Sequence, residues 1–294
     1  MAYLLLPFAA SLIYVVGALF LKDASSRGVG LFRLTAFTNV FFGAVFALLW
    51  VLGGHVREPG AWVQPAVTAA LFLTGQVLAI IALQRGDVSV ATPVMGLKVV
   101  LVALFVTLIV GERVPVAVWV AAALSSAGIV FLSRGGGSTP GRGRTAPALI
   151  FGGLAAAAFA LFDVLVQKWS PAWGAGRFLP IMMGFVALYS ALPLPLGRKV
   201  LGESAPGSWR PLLLGGLCLA VQGALLISSL AVYARATTIN VVYSARGLWS
   251  VLAVWVVGHW FGNREREHGA AVFRTRLLGA GLLLAAIVLV VLRR

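Results

Sequence analysis

The chain has 294 residues, 61% of them hydrophobic and only 11% charged, with a mean hydropathy of +1.00 and a formal net charge of +15 at pH 7. So much apolar side chain with so little charge excludes an ordinary soluble domain and indicates a membrane protein. The basic residues are dispersed among many short segments, which argues against a nucleic-acid-binding domain; in a membrane protein such charges set orientation and contact anionic headgroups.

Hydrophobic segments long enough to cross a bilayer occupy nearly the whole chain. A hydrocarbon core of about 30 Å requires about 20 residues of helix. The first segment lacks a basic leading region and an A-x-A cleavage site, so we expect a mature transmembrane helix there and no removable signal. The sequence predicts an all-α polytopic membrane protein with ten transmembrane helices, at 2–22, 31–53, 62–84, 88–110, 116–133, 147–168, 177–196, 211–234, 238–261 and 276–292.

A Gly-rich, basic linker at 134–146 divides these helices into two five-helix repeats, 1–133 and 147–294. Because each repeat has an odd number of helices, the second repeat must enter the membrane in the opposite sense. This inverted arrangement is typical of secondary transporters, which bind substrate near the midplane between the repeats.

Two glutamines occupy matching places in the repeats. Pro65 precedes Gln76 by the same interval by which Pro211 precedes Gln222. Polar groups inside a membrane helix need hydrogen-bond partners. The glutamines are therefore interpreted either as substrate contacts or as hydrogen bonds between helices.

Two basic residues, Lys98 and Arg246, lie deep inside the fourth and ninth hydrophobic segments. A charge near the bilayer centre costs several kcal/mol or more, so such residues usually face a polar cavity. Aligning the ends of the two segments places Arg246 opposite Met95, one helical turn from Lys98. Pro93 predicts a kink before Lys98. We expect both cations to bind substrate, Arg246 by its bidentate guanidinium, although Lys98 could instead form a structural ion pair with Asp163.

Asp163 is the acidic residue predicted well inside a helix, where it is either a proton or cation acceptor or the counter-ion of a basic residue. Three aromatic residues, Tyr14, Tyr243 and Trp249, are candidates for the wall of the cavity, although aromatic residues in membrane helices also serve packing. Tyr243, Arg246 and Trp249 recur at three-residue spacing, which places them on one helix face.

The remaining reactive side chains indicate no metal site and no cofactor. Cys218 is the single cysteine, so an internal disulfide or a cysteine-based metal cluster is excluded. The histidines, at positions 55, 259 and 268, show no ligand spacing. A membrane-embedded enzyme is disfavoured, because clustered His, Asp or Ser motifs are lacking.

The stretch from Ala82 to Ser133, "ALQRGDVSVATPVMGLKVVLVALFVTLIVGERVPVAVWVAAALSSAGIVFLS", contains Gly111-Glu112 at the end of the fourth helix. Together with the two five-helix repeats, it resembles the drug/metabolite transporter superfamily and its EamA-like transporters. The second half departs from the pattern at Gly262-Asn263 and at an insertion, 264–274. The resemblance implies export of amino acids and other metabolites, or exchange of sugar phosphates and nucleotide sugars. The sugar-phosphate members are similar in placing basic residues in the fourth and ninth helices.

These observations predict a secondary transporter that moves a small polar metabolite, anionic or zwitterionic, by alternating access. The alternatives are an amino-acid or cationic-metabolite and drug exporter of the same superfamily, a channel, or a membrane-embedded enzyme. The expected partners are the substrate, the lipid bilayer and a coupling proton or counter-substrate, with no nucleic acid; the sequence leaves the oligomeric state open.

The predicted location is the bacterial cytoplasmic (inner) membrane, and the orientation stays open. Lys and Arg near the helix ends are more numerous on the side opposite the termini, which places both termini outside. The family resemblance implies the reverse, with both termini in the cytoplasm.

Overall fold

The structure is a computed structural model, and it describes residues 2–85, 88–133, 145–192, 208–257 and 270–292. Most of the predicted linker, and the features predicted at His259, at Gly262-Asn263 and at 264–269, lie outside these ranges. Every regular element within them is helical.

Twelve α-helices carry the described part of the chain. They are α1 (Ala2–Ser26), α2 (Leu31–Ala47), α3 (Val63–Arg85), α4 (Val88–Met95), α5 (Lys98–Phe105), α6 (Val116–Ser133), α7 (Thr145–Trp173), α8 (Ala175–Ala191), α9 (Trp209–Tyr233), α10 (Ala236–Tyr243), α11 (Arg246–Val257) and α12 (Ala270–Leu292). Short 3₁₀ turns at Leu48–Leu52 and Pro59–Trp62 extend α2 and precede α3, and a π turn at Val106–Val110 extends α5.

Seven helical stretches within the described residues are long and apolar enough to cross a membrane. They are Tyr3–Ser26, Phe32–Leu52, Pro59–Arg85, Val90–Val110, Thr145–Trp173, Trp209–Tyr233 and Arg274–Leu292. Val116–Leu132 and Ala175–Ala191 are apolar but shorter. The prediction of an all-helical polytopic membrane protein is confirmed, while the number of ten spans and the inverted repeat stay predictions.

The helices pack as two compact units. The first unit combines Met1–Leu73 with Leu165–Ala234, and the second combines Thr74–Val164 with Arg235–Arg294. Each unit therefore takes residues from both halves of the sequence, whereas the predicted repeats follow chain order.

In the first unit α1 packs on α9, α9 also contacts α2, and α2 contacts α8. Gly17 allows the close approach of α1 to α9, because a Cβ atom there would lie 3.0 Å from Cys218 Cβ and 3.3 Å from the Gly215 carbonyl oxygen. Cys218 thus lies at a seam of small residues between α1 and α9.

In the second unit α6 is the central helix. It packs on α12 and also contacts α4, α5, α10 and α11. Gly128 of α6 and Gly279 of α12 face each other: a Cβ on Gly279 would lie 2.7 Å from the Gly128 carbonyl oxygen, and one on Gly128 2.9 Å from the Gly279 carbonyl oxygen. Only glycine at both positions permits this backbone contact.

Two of the predicted membrane segments are interrupted, at Gly96-Leu97 between α4 and α5 and at Ser244-Ala245 between α10 and α11. The bounds 88, 95 and 98 recur 148 residues later, at 236, 243 and 246. This offset pairs Arg246 with Lys98 itself, whereas the sequence alignment paired it with Met95. The two pairings differ because one is fixed at the ends of the segments and the other at the breaks, and both stay predictions together with the repeat.

The two breaks have different local causes. Pro93 lacks a backbone N–H, and Gly96 has the poorest helix propensity apart from proline, so α4 ends there. Neither proline nor glycine occurs in α10, the helix before the second break. Instead Ser244 Oγ lies 2.6 Å from the Val241 carbonyl oxygen, and the Ser244 N–H is shared between the carbonyls of Asn240 and Val241. Such competition for backbone carbonyls weakens the helix at that point.

The α6–α12 seam predicts unequal effects for two glycines on the same helix. Gly279→Ala should destabilise the protein by about 1–3 kcal/mol, because its methyl group overlaps the backbone of α6. Gly281 is the matched control, since its Cβ would meet nothing within 4 Å, and Gly281→Ala should leave the melting temperature in detergent unchanged or slightly higher. Equal melting temperatures for the two variants would contradict the seam.

Candidate functional site

Lys98 and Asp163 form a buried ion pair in the second unit. Lys98 is the first residue of α5, and its Nζ lies 2.7 Å from Oδ2 of Asp163 on α7. The side chains are 16% and 2% exposed, respectively. Removing one member of such a pair typically costs about 3–5 kcal/mol, because the other charge remains buried without a partner. Lys98 therefore contacts Asp163, the counter-ion that was predicted for it as the alternative to substrate binding.

Asn240 on α10 is the third member of this cluster, and it was not among the predicted site residues. Its Nδ2 donates to Asp163 Oδ2 at 2.7 Å and to the Ala236 carbonyl oxygen at 2.9 Å. Both hydrogens of the amide are thus used, which fixes the orientation of the side chain. The sequence feature that could have indicated Asn240 is its position inside the ninth hydrophobic segment, six residues before Arg246.

Phe159 lies on the other side of the Lys98 ammonium, with its ring centroid 6.0 Å from Nζ. The ring packs on Gly75 of α3, where a Cβ atom would lie 2.9 Å from it. Gln76 follows Gly75 and is partly buried in the same unit. Lys98 is therefore held between a carboxylate and an aromatic face, which limits how far its flexible side chain can move.

Arg246 stacks on Tyr243 across the second helix break. Its Cζ atom lies 4.7 Å from the ring centroid, and Nη1 donates to the Tyr243 hydroxyl at 3.3 Å. The sequence placed these residues on one face of a continuous helix. The structure places Tyr243 at the end of α10 and Arg246 at the start of α11, so the contact spans a turn. Trp249 follows on α11 and is partly buried.

Both cations begin a helix, at the positive end of its dipole. A cation there is unfavourable by a few tenths of a kcal/mol to about 1 kcal/mol, so helix stability does not explain either residue. The dipole and the side chain instead add to the same positive potential. Asp163 offsets this potential at Lys98.

The other two predicted site residues lie in the first unit. Gln222 is buried on α9 at 7% exposure. Tyr14 lines a cavity of about 550 Å³, together with Lys22, Ser25, Ser26 and apolar residues of α1, α2 and α9. Within the described residues, no group of three or more His, Cys, Asp or Glu side chains could hold a metal. The grouping of Tyr14 and Gln222 with the cations stays a prediction.

Comparison with known proteins finds a similar family for the first part of the chain and a similar fold for the whole chain. The model of the EamA-like transporter family matches residues 1–134. A protein crystal structure that is 20% identical in sequence matches with a TM-score of 0.77 over 99% of this chain and 99% of that chain, which shows a shared fold. Curated proteins give no match. Residues 1–134 are therefore similar to the EamA-like transporter family, and the shared fold extends over the chain.

Proposed function

We propose that the protein is a secondary transporter that moves a small anionic or zwitterionic metabolite across the bacterial cytoplasmic membrane by alternating access. The observation that carries the proposal is that Lys98 and Arg246 each begin the second half of an interrupted membrane helix, at corresponding places of the two sequence halves. Interrupted helices at such positions characterise the binding sites of secondary transporters, where half-helix N-termini face anionic groups.

Arg246 is proposed to bind the carboxylate or phosphate group of the substrate. Tyr243 occupies one face of the guanidinium, and its hydroxyl accepts a hydrogen bond from Nη1. These contacts orient the planar guanidinium, whose geometry matches the bidentate contacts that carboxylates and phosphates favour. Gln76, Gln222, Tyr14 and Trp249 are proposed to add hydrogen bonds and aromatic contacts.

Lys98 and Asp163 are proposed to act as a coupling pair. At 2.7 Å the two charges cancel, so Lys98 attracts a substrate anion weakly while Asp163 is ionised. Lys98 is the charged side chain in contact with Asp163 in the described part of the chain, and Asn240 is its neutral donor. Protonation of Asp163 would release the ammonium for substrate, which links proton uptake to anion binding.

The ten spans and the inverted five-helix repeats belong to the same proposal. The recurrence of both helix breaks at one sequence offset supports a duplication, and a repeat with five spans would place the two breaks in opposite orientations. The two rocking elements of an alternating-access cycle would then be related by this symmetry.

A second candidate is an exporter of amino acids or cationic metabolites. Asp163 already binds the ammonium group of Lys98, so its carboxylate can accept an amine. A substrate amine would replace the Lys98 ammonium, while Arg246 held the carboxylate. In the double variant Lys98→Met with Asp163→Asn, this candidate predicts that transport of amine-bearing substrates is lost. The first candidate predicts that the same variant still exchanges sugar phosphates or organic anions.

Substrate binding should depend on the arginine at the second break. Arg246→Ala should raise the KM for counterflow in liposomes by about 10–100-fold, because charge-assisted hydrogen bonds contribute about 1.5–3 kcal/mol. The KM of Arg246→Lys should lie between those of the parent and of Arg246→Ala, since lysine keeps the charge but cannot form the bidentate hydrogen bonds of a guanidinium. The measurement uses a panel of amino acids, sugar phosphates and organic anions. Trans-stimulation identifies a carrier, whereas a channel shows no trans-stimulation.

Arg177 provides the matched control for Arg246. It also stacks on an aromatic ring, with Cζ 4.5 Å from the Trp50 centroid, and it donates to the Trp50 carbonyl oxygen at 2.7 Å. Arg177→Ala should leave KM within about twofold of the parent. A KM that rises equally in both variants, or in neither, would remove Arg246 from the site.

Proton coupling should require the Lys98–Asp163 pair. Because Asp163→Asn alone strands a buried ammonium, the test uses the double variant Lys98→Met with Asp163→Asn, in which both charges are removed. The parent should accumulate substrate when a pH gradient is imposed on proteoliposomes, and the double variant should only exchange it. Gradient-driven accumulation by the double variant would exclude Asp163 as the coupling group.

A further inference from the structure

We propose that two adjacent serines of α6, Ser125 and Ser126, are positioning residues: each fixes one helix break and thereby the cation that follows it. The structural part of this inference stands on the packing of the second unit. Its consequence for substrate binding rests on the proposed function.

Ser126 holds the first break. Its Oγ donates to the Gly96 carbonyl oxygen at 3.0 Å, and this carbonyl lies two residues before Lys98. Ser126 is buried, at 5% exposure. A Cβ atom on Gly96 would lie 2.7 Å from Cγ2 of Ile129, one helical turn after Ser126. The break between α4 and α5 is therefore seated directly on α6.

Ser125 holds the second break. Its Oγ lies 3.3 Å from Oγ of Ser244, two residues before Arg246, and Ser125 is fully buried. On the same side, a Cβ atom on Gly247 would lie 3.2 Å from Cδ1 of Leu132 of α6. The break between α10 and α11 is thus joined to α6 by a contact between two hydroxyl groups, whereas at the first break a hydroxyl bonds a backbone carbonyl.

These bonds differ from the usual hydroxyl bonds of membrane helices. Ser229, for example, is buried and bonds the Leu225 carbonyl of its own helix at 2.7 Å. Ser126 and Ser125 instead reach groups 30 and 119 residues away in the sequence. Since consecutive helical residues point about 100° apart, adjacent serines are suited to two separate neighbours of one helix.

The α6 helix is itself fixed to α12 by the Gly128–Gly279 contact, one turn beyond the serines. One well-packed helix therefore sets the starting point of both α5 and α11. In the membrane interior no water replaces the serine that is removed, neither at the Gly96 carbonyl nor at the Ser244 hydroxyl, so a local rearrangement of the break is expected. Ser126 should govern Lys98, and Ser125 should govern Arg246.

The structural arm of the test is hydrogen–deuterium exchange on the purified full-length protein. Ser126→Ala should speed exchange by about tenfold in peptides covering 96–101 and leave 244–249 unchanged; Ser125→Ala should do the reverse. Ser229→Ala, the matched buried-serine control, should change neither. Unchanged exchange at the named break, or equal changes at both breaks, would overturn the assignment. If an alanine variant does not fold, the corresponding Ser→Cys variant should give a smaller change at the same break.

The functional arm is a double-mutant cycle on the KM for counterflow. Ser126→Ala should raise KM by about threefold to tenfold in the parent and have no further effect in the double variant Lys98→Met with Asp163→Asn; Ser125→Ala should behave likewise with Arg246→Ala. Additive effects in both backgrounds would show general destabilisation and overturn positioning. If exchange changes as expected but no solute is transported by any variant, the proposed function fails while the assignment of the serines to the breaks stands.

Discussion

Each interruption of a membrane helix exposes backbone carbonyl and amide groups where no water is present to bond them, and the second unit is arranged around this constraint. At the first break the Gly96 carbonyl receives a hydrogen bond from a serine of α6, and at the second Ser244 meets the neighbouring serine. The packing follows from the same need, because Gly96 must lack a side chain to lie against α6. An interrupted helix in lipid is stable only where neighbouring protein groups satisfy it.

The interruptions also decide where charge can reside. Starting a helix at Lys98 brings its ammonium to Asp163 and Phe159, and starting one at Arg246 brings its guanidinium onto Tyr243. Their described contacts differ in kind: Lys98 pairs with a carboxylate, whereas Arg246 contacts the ring and the hydroxyl of Tyr243.

Much of the site was accessible from the sequence, and the missing parts share a cause. Lys98, Arg246 and Asp163 were identified because a charge inside an apolar segment is costly wherever it lies. Asn240 and the serines of α6 were not predicted. Asn and Ser occur in membrane helices for many reasons, and their role can be recognised only from the residues that they contact. Asn240 becomes recognisable when its amide is seen to use one hydrogen on Asp163 and the other on its own helix.

The sequence by itself determined the membrane-embedded helical character of the chain and the residues of the candidate site that carry charge, because both follow from hydropathy summed along a helix. It also located Pro93, one cause of the first break. Only the tertiary structure decided that the second segment is broken as well, and that the packed units draw on both sequence halves. These features depend on contacts between residues far apart in the chain, which periodicity and composition along one helix do not encode.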